Sequence, residues 1–178
     1  MQHGENMTTS FKLEHEFSSV PLEVFEKYLN HPELNTLLAK MPSFKSRELI
    51  ESQTLANGEQ HWCFKVVAGG ELPPAISKIV SPETFTWLEK SRFVPKEHAV
   101  YFSIEPTVAK GKFESSGKWT HSKHKTGTLR VLEGEMSVKI PFVGKIVENF
   151  LLSEFKRNYE VEPGIQEKFY KKIMQSEK

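Results

Sequence analysis

The C-terminal part of the chain carries the feature that most constrains its fold, a long apolar stripe at helical spacing. Apolar side chains recur there at steps of one, three or four residues: Val143, Ile146, Val147, Phe150, Leu151, Phe155 and Tyr159. This period predicts one long amphipathic helix. Pro163 and Gly164 are expected to kink or break that helix, because proline lacks a backbone donor, and the apolar spacing resumes beyond them.

Strand patterns fill most of the chain before this helix. Residues 11–17 alternate strictly between apolar and polar, which is typical of a half-buried strand. Asn57-Gly58 and Lys125-Thr126-Gly127 are typical of hairpin turns. Strands are therefore predicted over residues 11–17, 44–55, 59–68, 84–92, 98–104, 111–122 and 127–140. Two short helices are predicted after the first strand, where Pro21 suits a first helical turn and His31-Pro32 separates the two.

In the last strand the apolar residues change parity. Leu129 and Val131 occupy odd positions, whereas Met136 and Val138 occupy even positions. One extra residue in the strand near Glu133-Gly134 would keep all four apolar side chains on the same face of the sheet. A β-bulge is therefore predicted there.

Together these elements predict a single α+β domain. A run of antiparallel strands must bury one apolar face, and only the C-terminal helix is long enough to cover it. A chain of 178 residues fits one domain. We place that domain at residues 9–176, after a disordered lead-in at residues 1–8.

Composition argues against several classes of function. The net charge of +1 and the sparse arginines give no basis for nucleic-acid binding. No apolar stretch is long enough to span a bilayer and no signal peptide is visible, which predicts a cytoplasmic protein. Cys63 is the only cysteine, so neither an intrachain disulfide nor a multi-cysteine zinc site is expected. No metal or cofactor is expected either.

Three short segments resemble the START and polyketide-cyclase-like superfamily (SRPBCC), the helix-grip fold shared with the birch-pollen allergen family. They are residues 20–25 (VPLEVF) after the first strand, residues 71–74 (ELPP), and residues 140–148 (IPFVGKIVE) at the start of the last helix. The last two resemble a bacterial branch of unknown function. The resemblance extends from about Ser10 to Met174. It implies a curved antiparallel sheet of about seven strands wrapped around the long C-terminal helix, with a cavity between them.

Such a cavity is expected to bind a hydrophobic molecule, because a curved sheet and one helix rarely fill the space between them. Strand and helix parity place nine residues around it: Leu13, His15, Trp62, Phe64, Trp87, Phe102, Trp119, Val147 and Leu151. Residues 74–80 are predicted to form a short helix after Gly69-Gly70. Its residues Ile76, Ile79 and Val80 are expected either to form a mobile cover or to plug the end of the sheet.

Polar residues give weaker evidence for chemistry. His15 is expected to be a hydrogen-bonded core histidine, and the alternative is a ligand contact or general base. His121 and His124 fall on opposite faces of a strand, which favours a solvated hairpin over a metal site. Four carboxylates are expected near the sheet interior or the start of the last helix: Glu89, Glu133, Glu135 and Glu148.

The last hairpin is locally basic. Its cations are Lys118, Lys123, Lys125 and Arg130. Such a patch suits a transient contact with anionic lipid head groups at a membrane surface. The alternative is a solvated hairpin whose lysines resist edge pairing.

We therefore expect a protein that binds a lipid or another hydrophobic small molecule, as its carrier, sensor or chaperone. One alternative is a protein-interaction module with a filled cavity and an exposed apolar patch. Another is a cyclase-type or hydrolase-type enzyme, in which His15, Tyr101 or a glutamate would act on a substrate in the same pocket. The lack of catalytic motifs favours binding over catalysis. The sequence does not indicate an oligomeric state.

Overall fold

Seven strands form one sheet in the computed structural model, which describes residues 8–69, 73–78, 85–108 and 110–176. The strands are β1 (Thr9–Phe17), β2 (Phe44–Thr54), β3 (Gln60–Ala68), β4 (Thr86–Val94), β5 (Ala99–Pro106), β6 (Phe113–His124) and β7 (Gly127–Val138). Their order across the sheet is β1-β7-β6-β5-β4-β3-β2, and every neighbouring pair is antiparallel. The first strand, β1, is therefore an edge strand that pairs with the last strand, β7.

Four α-helices complete the described part of the chain. They are α1 (Leu22–Lys27), α2 (Pro32–Leu38), α3 (Pro74–Ser77) and α4 (Gly144–Ser176). With 33 residues, α4 is about 50 Å long at the usual rise. It contains Pro163 without ending there, so of the expected kink or break the break is wrong, and the kink stays a prediction. Apolar packing on both sides of the proline, through Tyr159 and Phe169, offsets the loss of one backbone hydrogen bond.

Successive apolar clusters lie along the length of α4. Near its start, Val147 packs with Ile76 of α3 and with Phe85. In its middle, Tyr159 packs with residues of β1, β5 and β7. Near its end, Phe169 and Tyr170 pack with α1 and α2. A single helix thus covers the inner face of the sheet, while the short helices close its ends.

The inner face of β7 is set by an uninterrupted register. Residues 128–136 pair one to one with β1 and with β6, so the bulge expected near Glu133-Gly134 is wrong. The even-numbered side chains face α4, among them Thr128, Arg130, Leu132 and Met136, all of them buried. The apolar Leu129 and Val131 lie on the outer face instead, where half-buried apolar side chains are tolerated. Register shifts occur in β2, between Phe44 and Ser46 and between Leu49 and Glu51.

The architecture confirms the predicted α+β helix-grip fold, with two short helices after the first strand and a long C-terminal helix on the sheet. Residues 1–7 lie outside the described residues, so the boundary between lead-in and domain stays a prediction. None of the described helices has the combination of length and apolar character that a bilayer span requires.

Leucine truncation on the two faces of β7 tests this register. Leu132 is fully buried among Phe11, Phe102 and Tyr159, so Leu132→Ala should lower the free energy of unfolding by about 2–5 kcal/mol. Leu129→Ala is the matched control, because Leu129 lies half-buried on the outer face, and it should cost clearly less. Urea denaturation of both variants provides the comparison. If both variants lose the same free energy of unfolding, the uninterrupted register is wrong and the β-bulge near Glu133-Gly134 is favoured again.

Candidate ligand cavity

The described residues border at least two cavities, and the larger of these lies between the inner face of the sheet, α1, α2 and α4. Its volume is about 200 Å³. Aromatic and aliphatic side chains form most of its wall, including Phe25 and Leu38 from the short helices and Phe155 from α4. The cavity thus lies where the sheet, the two short helices and α4 come together.

Five of the nine cavity residues expected from parity line this larger cavity: Trp62, Phe64, Trp87, Phe102 and Trp119. Val147 and Leu151 line a second cavity of about 130 Å³ closer to the start of α4. Trp87, Ile104, Phe155 and Asn158 border both spaces. The two cavities are therefore neighbouring compartments of one interior.

Leu13 and His15 line neither of the two cavities. Leu13 packs beneath α4 in the cluster around Leu132. His15 lies with its Nε2 atom 3.3 Å from Oε1 of Glu167, and its ring meets the Phe17 ring edge-on. Both share the inner face of β1, but β1 is an edge strand, and its inner face packs against α4.

The predicted cover is described only at Ile76, since Ile79 and Val80 lie outside the described residues. Ile76 is buried against Phe85 and Val147, two residues that also border the second cavity. This packing fits a helix that plugs the end of the sheet. The mobile cover stays a prediction.

Arg130 occupies the interior, which corrects its expected place in a basic surface patch. Its side chain is only 4% exposed, because even-numbered residues of β7 face inward. Nη1 donates to Oε1 of Glu162 at 3.0 Å and to Oε1 of Gln166 at 2.9 Å. The guanidinium carbon lies 4.4 Å from the centre of the Trp119 ring and 5.1 Å from that of Tyr159. A buried cation thus sits in the cavity wall, held by α4 and by aromatic rings.

A second ion pair lines the cavity nearer the β2 edge of the sheet. Arg47 of β2 donates through Nη2 to Oε1 of Glu89 at 3.0 Å, and its guanidinium stacks 3.5 Å from the centre of the Phe64 ring. Both charged side chains are largely buried. Glu89 thus lies at the interior as expected, and its partner Arg47 is a residue that the sequence patterns did not single out.

His121 is also interior, which corrects the expectation that it lies in a solvated hairpin. Its side chain is 1% exposed, and its Nδ1 atom lies 3.3 Å from Oε1 of Glu26. The ring contacts Phe25 edge-on. Burial lowers the pKa of the His121 imidazole, against the opposing effect of Glu26. The neutral ring is therefore the form that the fold favours.

The remaining polar candidates lie away from the cavities. Glu133 and Glu135 are exposed on the outer face of β7, as the corrected register requires. Glu148 is buried near the start of α4, where it accepts from the Thr9 hydroxyl and from Nζ of Lys145. Tyr101 lies on the outer face of β5 and donates to Glu97.

The basic patch predicted on the last hairpin is smaller than expected, because Arg130 lies in the interior and does not belong to it. Lys123 and Lys125 are exposed and Lys118 is half-buried. Nζ of Lys125 lies 3.6 Å from a carboxylate oxygen of Glu16, which offsets part of the local charge. Contact of this hairpin with anionic lipid stays a prediction.

The polar residues of α4 that the sequence patterns missed follow a readable spacing. Asn158, Glu162 and Gln166 recur at steps of four residues, and all three line the larger cavity. This polar row continues the face of the helix that carries Phe155 and Tyr159. The sequence therefore did contain a pattern that could have predicted the polar part of the cavity: polar residues at helical spacing that continue an apolar stripe.

Among the described residues, no group of three or more His, Cys, Asp or Glu side chains could hold a metal ion. The charged groups of the interior are instead organised as arginine-carboxylate pairs. Such pairs can orient a ligand or donate hydrogen bonds to it.

Comparison with known proteins supports the fold and leaves the activity open. The family model described as "Protein of unknown function (DUF2505)" matches residues 12–168. No curated protein matches the chain significantly.

Several solved structures share the architecture at low sequence identity. TTHA0849 from Thermus thermophilus is 17% identical, with a TM-score of 0.62 over 91% of this chain and 97% of that one. The ZhuI aromatase/cyclase from Streptomyces sp. R1128 is 14% identical, with a TM-score of 0.63 over 93% and 94%. Norcoclaurine synthase from Thalictrum flavum, in complex with dopamine and hydroxybenzaldehyde, is 16% identical, with a TM-score of 0.60 over 95% and 88%. At these identities the likeness shows the fold alone.

Removal of the His121 ring should change the acid sensitivity of the protein. An unfolded histidine takes up its proton near the ordinary value of 6.5, and the folded His121 does so at lower pH. Its contribution to stability is therefore complete above about pH 6.5 and is lost as the pH falls toward the lowered pKa. His121→Gln should flatten the fall in unfolding free energy below that pH, measured by urea denaturation at several pH values.

The matched control is His124→Gln, because the His124 side chain on the same strand is 40% exposed. This variant should keep the wild-type dependence on pH. If both variants behave like wild type, burial of His121 does not contribute to acid sensitivity.

Proposed function

We propose that this chain, which belongs to the DUF2505 family of proteins of unknown function, binds one compact hydrophobic small molecule in its interior. The observation that carries this proposal is the larger cavity, which is walled by aromatic rings from the sheet and from α4. Pockets of this kind bury most of a ligand's surface and use a few polar groups to orient it. The protein would then act as a carrier, sensor or chaperone for that molecule.

Burial of apolar surface supplies the driving force in this proposal. Trp62, Phe64 and Trp119 each present an aromatic surface to the cavity. At about 25 cal/mol per Å² of apolar surface removed from water, a small aromatic or alicyclic ligand gains several kcal/mol there. Charge complementarity is not needed, which suits a chain whose net charge is +1.

The size of the cavity favours a compact ligand over a lipid with two acyl chains. Its volume of about 200 Å³ lies below the roughly 300–1,000 Å³ typical of ligand pockets. The second compartment adds about 130 Å³ next to it. A molecule of one or two rings, or a short single chain, matches this space.

The buried ion pairs support a ligand-related role for the interior. Paired charges inside a protein often stabilise it no better than apolar residues of the same volume, because desolvation offsets their attraction. The pairs Arg130-Glu162 and Arg47-Glu89 nevertheless both line the cavity. We infer that these pairs orient a bound molecule, because their contribution to packing and stability does not by itself explain their position in the cavity wall.

Two observations bear on the interaction-module alternative. That alternative requires a filled interior, whereas the described residues border two cavities. Exposed large apolar side chains do occur, among them Phe142 just before α4, Ile146 in its first turn, and Leu49 and Ile50 on β2. They lie on different elements, and β2 is the opposite edge strand from β1.

Catalysis in the same cavity is the second candidate function. It is favoured by the convergence of Arg130 and Glu162 within 3.0 Å in the cavity wall. The bases expected from the sequence, His15 and Tyr101, lie outside that cavity. Incubation of the protein with bound small molecules and mass spectrometry of the products would distinguish turnover from simple binding.

A serine-to-phenylalanine change in the cavity tests the binding proposal. Ser91 lies on the inner face of β4 between Trp62 and Phe102 and lines the larger cavity. A phenyl group there would occupy ligand space, so Ser91→Phe should weaken binding of the neutral two-ring probe 1-naphthylamine by about tenfold or more. Fluorescence enhancement on titration provides the dissociation constant.

Ser103→Phe is the matched control. Ser103 lies on the adjacent strand β5 and is also half-buried, but it pairs with Lys90 and Ser116 on the outer face of the sheet. This variant should bind the probe like wild type. Failure of the wild-type protein to bind the probe, or equal weakening by both variants, would overturn the cavity as the binding site.

A further inference from the structure

The cavity wall contains hydrogen-bond donors that the protein itself does not use. Arg130 donates twice through Nη1, but its Nε and Nη2 atoms are buried without a hydrogen-bond partner. The Tyr159 hydroxyl is buried beside the same guanidinium, and Arg130 lies close enough to oppose the rise in the Tyr159 pKa that burial causes, but no hydrogen bond of good geometry joins the two side chains. Buried polar atoms are nearly always paired in folded proteins, so three unpaired ones in a single patch require an explanation.

Aromatic rings explain only part of this arrangement. The Arg130 guanidinium lies near the rings of Phe17, Trp119 and Tyr159, whose faces attract a cation. An aromatic face is a weak acceptor for an N–H group, however, and it does not replace an oxygen atom. Nothing in those rings satisfies the Tyr159 hydroxyl. The patch therefore retains the capacity to donate to an acceptor atom on a ligand.

The charges around this patch indicate a neutral acceptor. The positive charge of Arg130 is already matched by Glu162 at 3.0 Å. Glu26 adds a further negative charge beside His121, whose buried ring favours the neutral form. A carboxylate on the ligand would bring another negative charge to a region where cations do not outnumber anions. The patch therefore has unused hydrogen-bond donors, but it has no excess of positive charge.

We propose that the ligand is a neutral apolar molecule carrying a carbonyl-type oxygen, which accepts hydrogen bonds from Arg130 and Tyr159. This inference rests on the proposed function and adds the chemical class and the orientation of the ligand. The apolar body lies against Trp119 and Phe102, which border the same cavity. The oxygen faces β7 and α4, which hold the two donors.

Two further unpaired donors lie across the cavity, on β2 and β4. Nη1 of Arg47 and Nε1 of Trp87 are buried without hydrogen-bond partners, and both residues line the larger cavity. Arg47 and Trp87 flank Val66 of the strand between them, so they form a second donor pair. A ligand with a second acceptor oxygen at its far end would use both pairs.

Three naphthalene derivatives of similar shape test the proposed class. 2-Acetonaphthone carries a neutral carbonyl, 2-ethylnaphthalene carries none, and 2-naphthoate carries an ionised carboxylate near neutral pH. Equilibrium dialysis against the wild-type protein gives a dissociation constant for each. The ketone should bind about tenfold more tightly than the hydrocarbon, since donors to it include a charged group. The ketone should also bind more tightly than the carboxylate.

Tyr159→Phe removes one donor while keeping the aromatic ring. The hydroxyl makes no hydrogen bond of good geometry within the protein, so the variant should fold as wild type does. It should weaken binding of 2-acetonaphthone about fivefold and leave 2-ethylnaphthalene unchanged. The matched control is Tyr101→Phe on the outer face of the sheet, which should change neither constant.

The outcomes separate this inference from the proposed function. If all three compounds bind with similar constants, or if Tyr159→Phe weakens the hydrocarbon as much as the ketone, the cavity binds ligands but the carbonyl assignment is wrong. If 2-naphthoate binds most tightly, the ligand is an acid and the neutral class is wrong. If none of the three binds, both the inference and the proposed function fail.

Discussion

One constraint underlies the rest of this structure: a seven-stranded curved sheet has its inner face covered by a single long helix. Protein interiors are normally packed as tightly as organic crystals. A helix has a fixed diameter, however, and α4 packs mainly on β1 and β7, at one side of the sheet. The short helices α1, α2 and α3 close the ends. Space therefore remains in the middle, and that space is the cavity.

The register of β7 decides what this cavity contains. Because the strand pairs without interruption, Arg130 falls on the inner face next to Leu132. An arginine in that position must be neutralised and hydrogen-bonded, and α4 supplies Glu162 and Gln166 one turn apart. The same face of α4 carries Tyr159 one turn earlier. A polar patch inside an apolar cavity thus follows from one strand register and one helical repeat.

Much of the fold was predictable because period-two and helical patterns are local properties of the chain. The hairpin at Asn57-Gly58 and the order of strands and helices could be predicted from such patterns. The interior was less predictable, since parity was assigned from apolar residues alone. Leu129 and Val131 were wrongly assigned to the inner face of β7, because apolar side chains can also lie on an outer face. His121 and Arg130 were wrongly assigned to the surface, because their side chains are polar.

The polar lining depends on contacts between distant residues, which local patterns do not contain. Arg47 and Glu89 are 42 residues apart, and Arg130 and Gln166 are 36 apart. Residues on different strands come together only when sheet order and curvature are both fixed. The parity of β3 places Trp62 and Phe64 on the inner face, where they line the cavity, whereas the arginine-carboxylate pairs had no local pattern of comparable strength.

The most direct test of a ligand-binding interior is native mass spectrometry of the protein purified without detergent, followed by solvent extraction. Our prediction is a bound apolar molecule at about one per chain, or uptake of one molecule of added 2-acetonaphthone by protein that carries none. A mass equal to that of the polypeptide alone, unchanged after addition of the ketone, would contradict it.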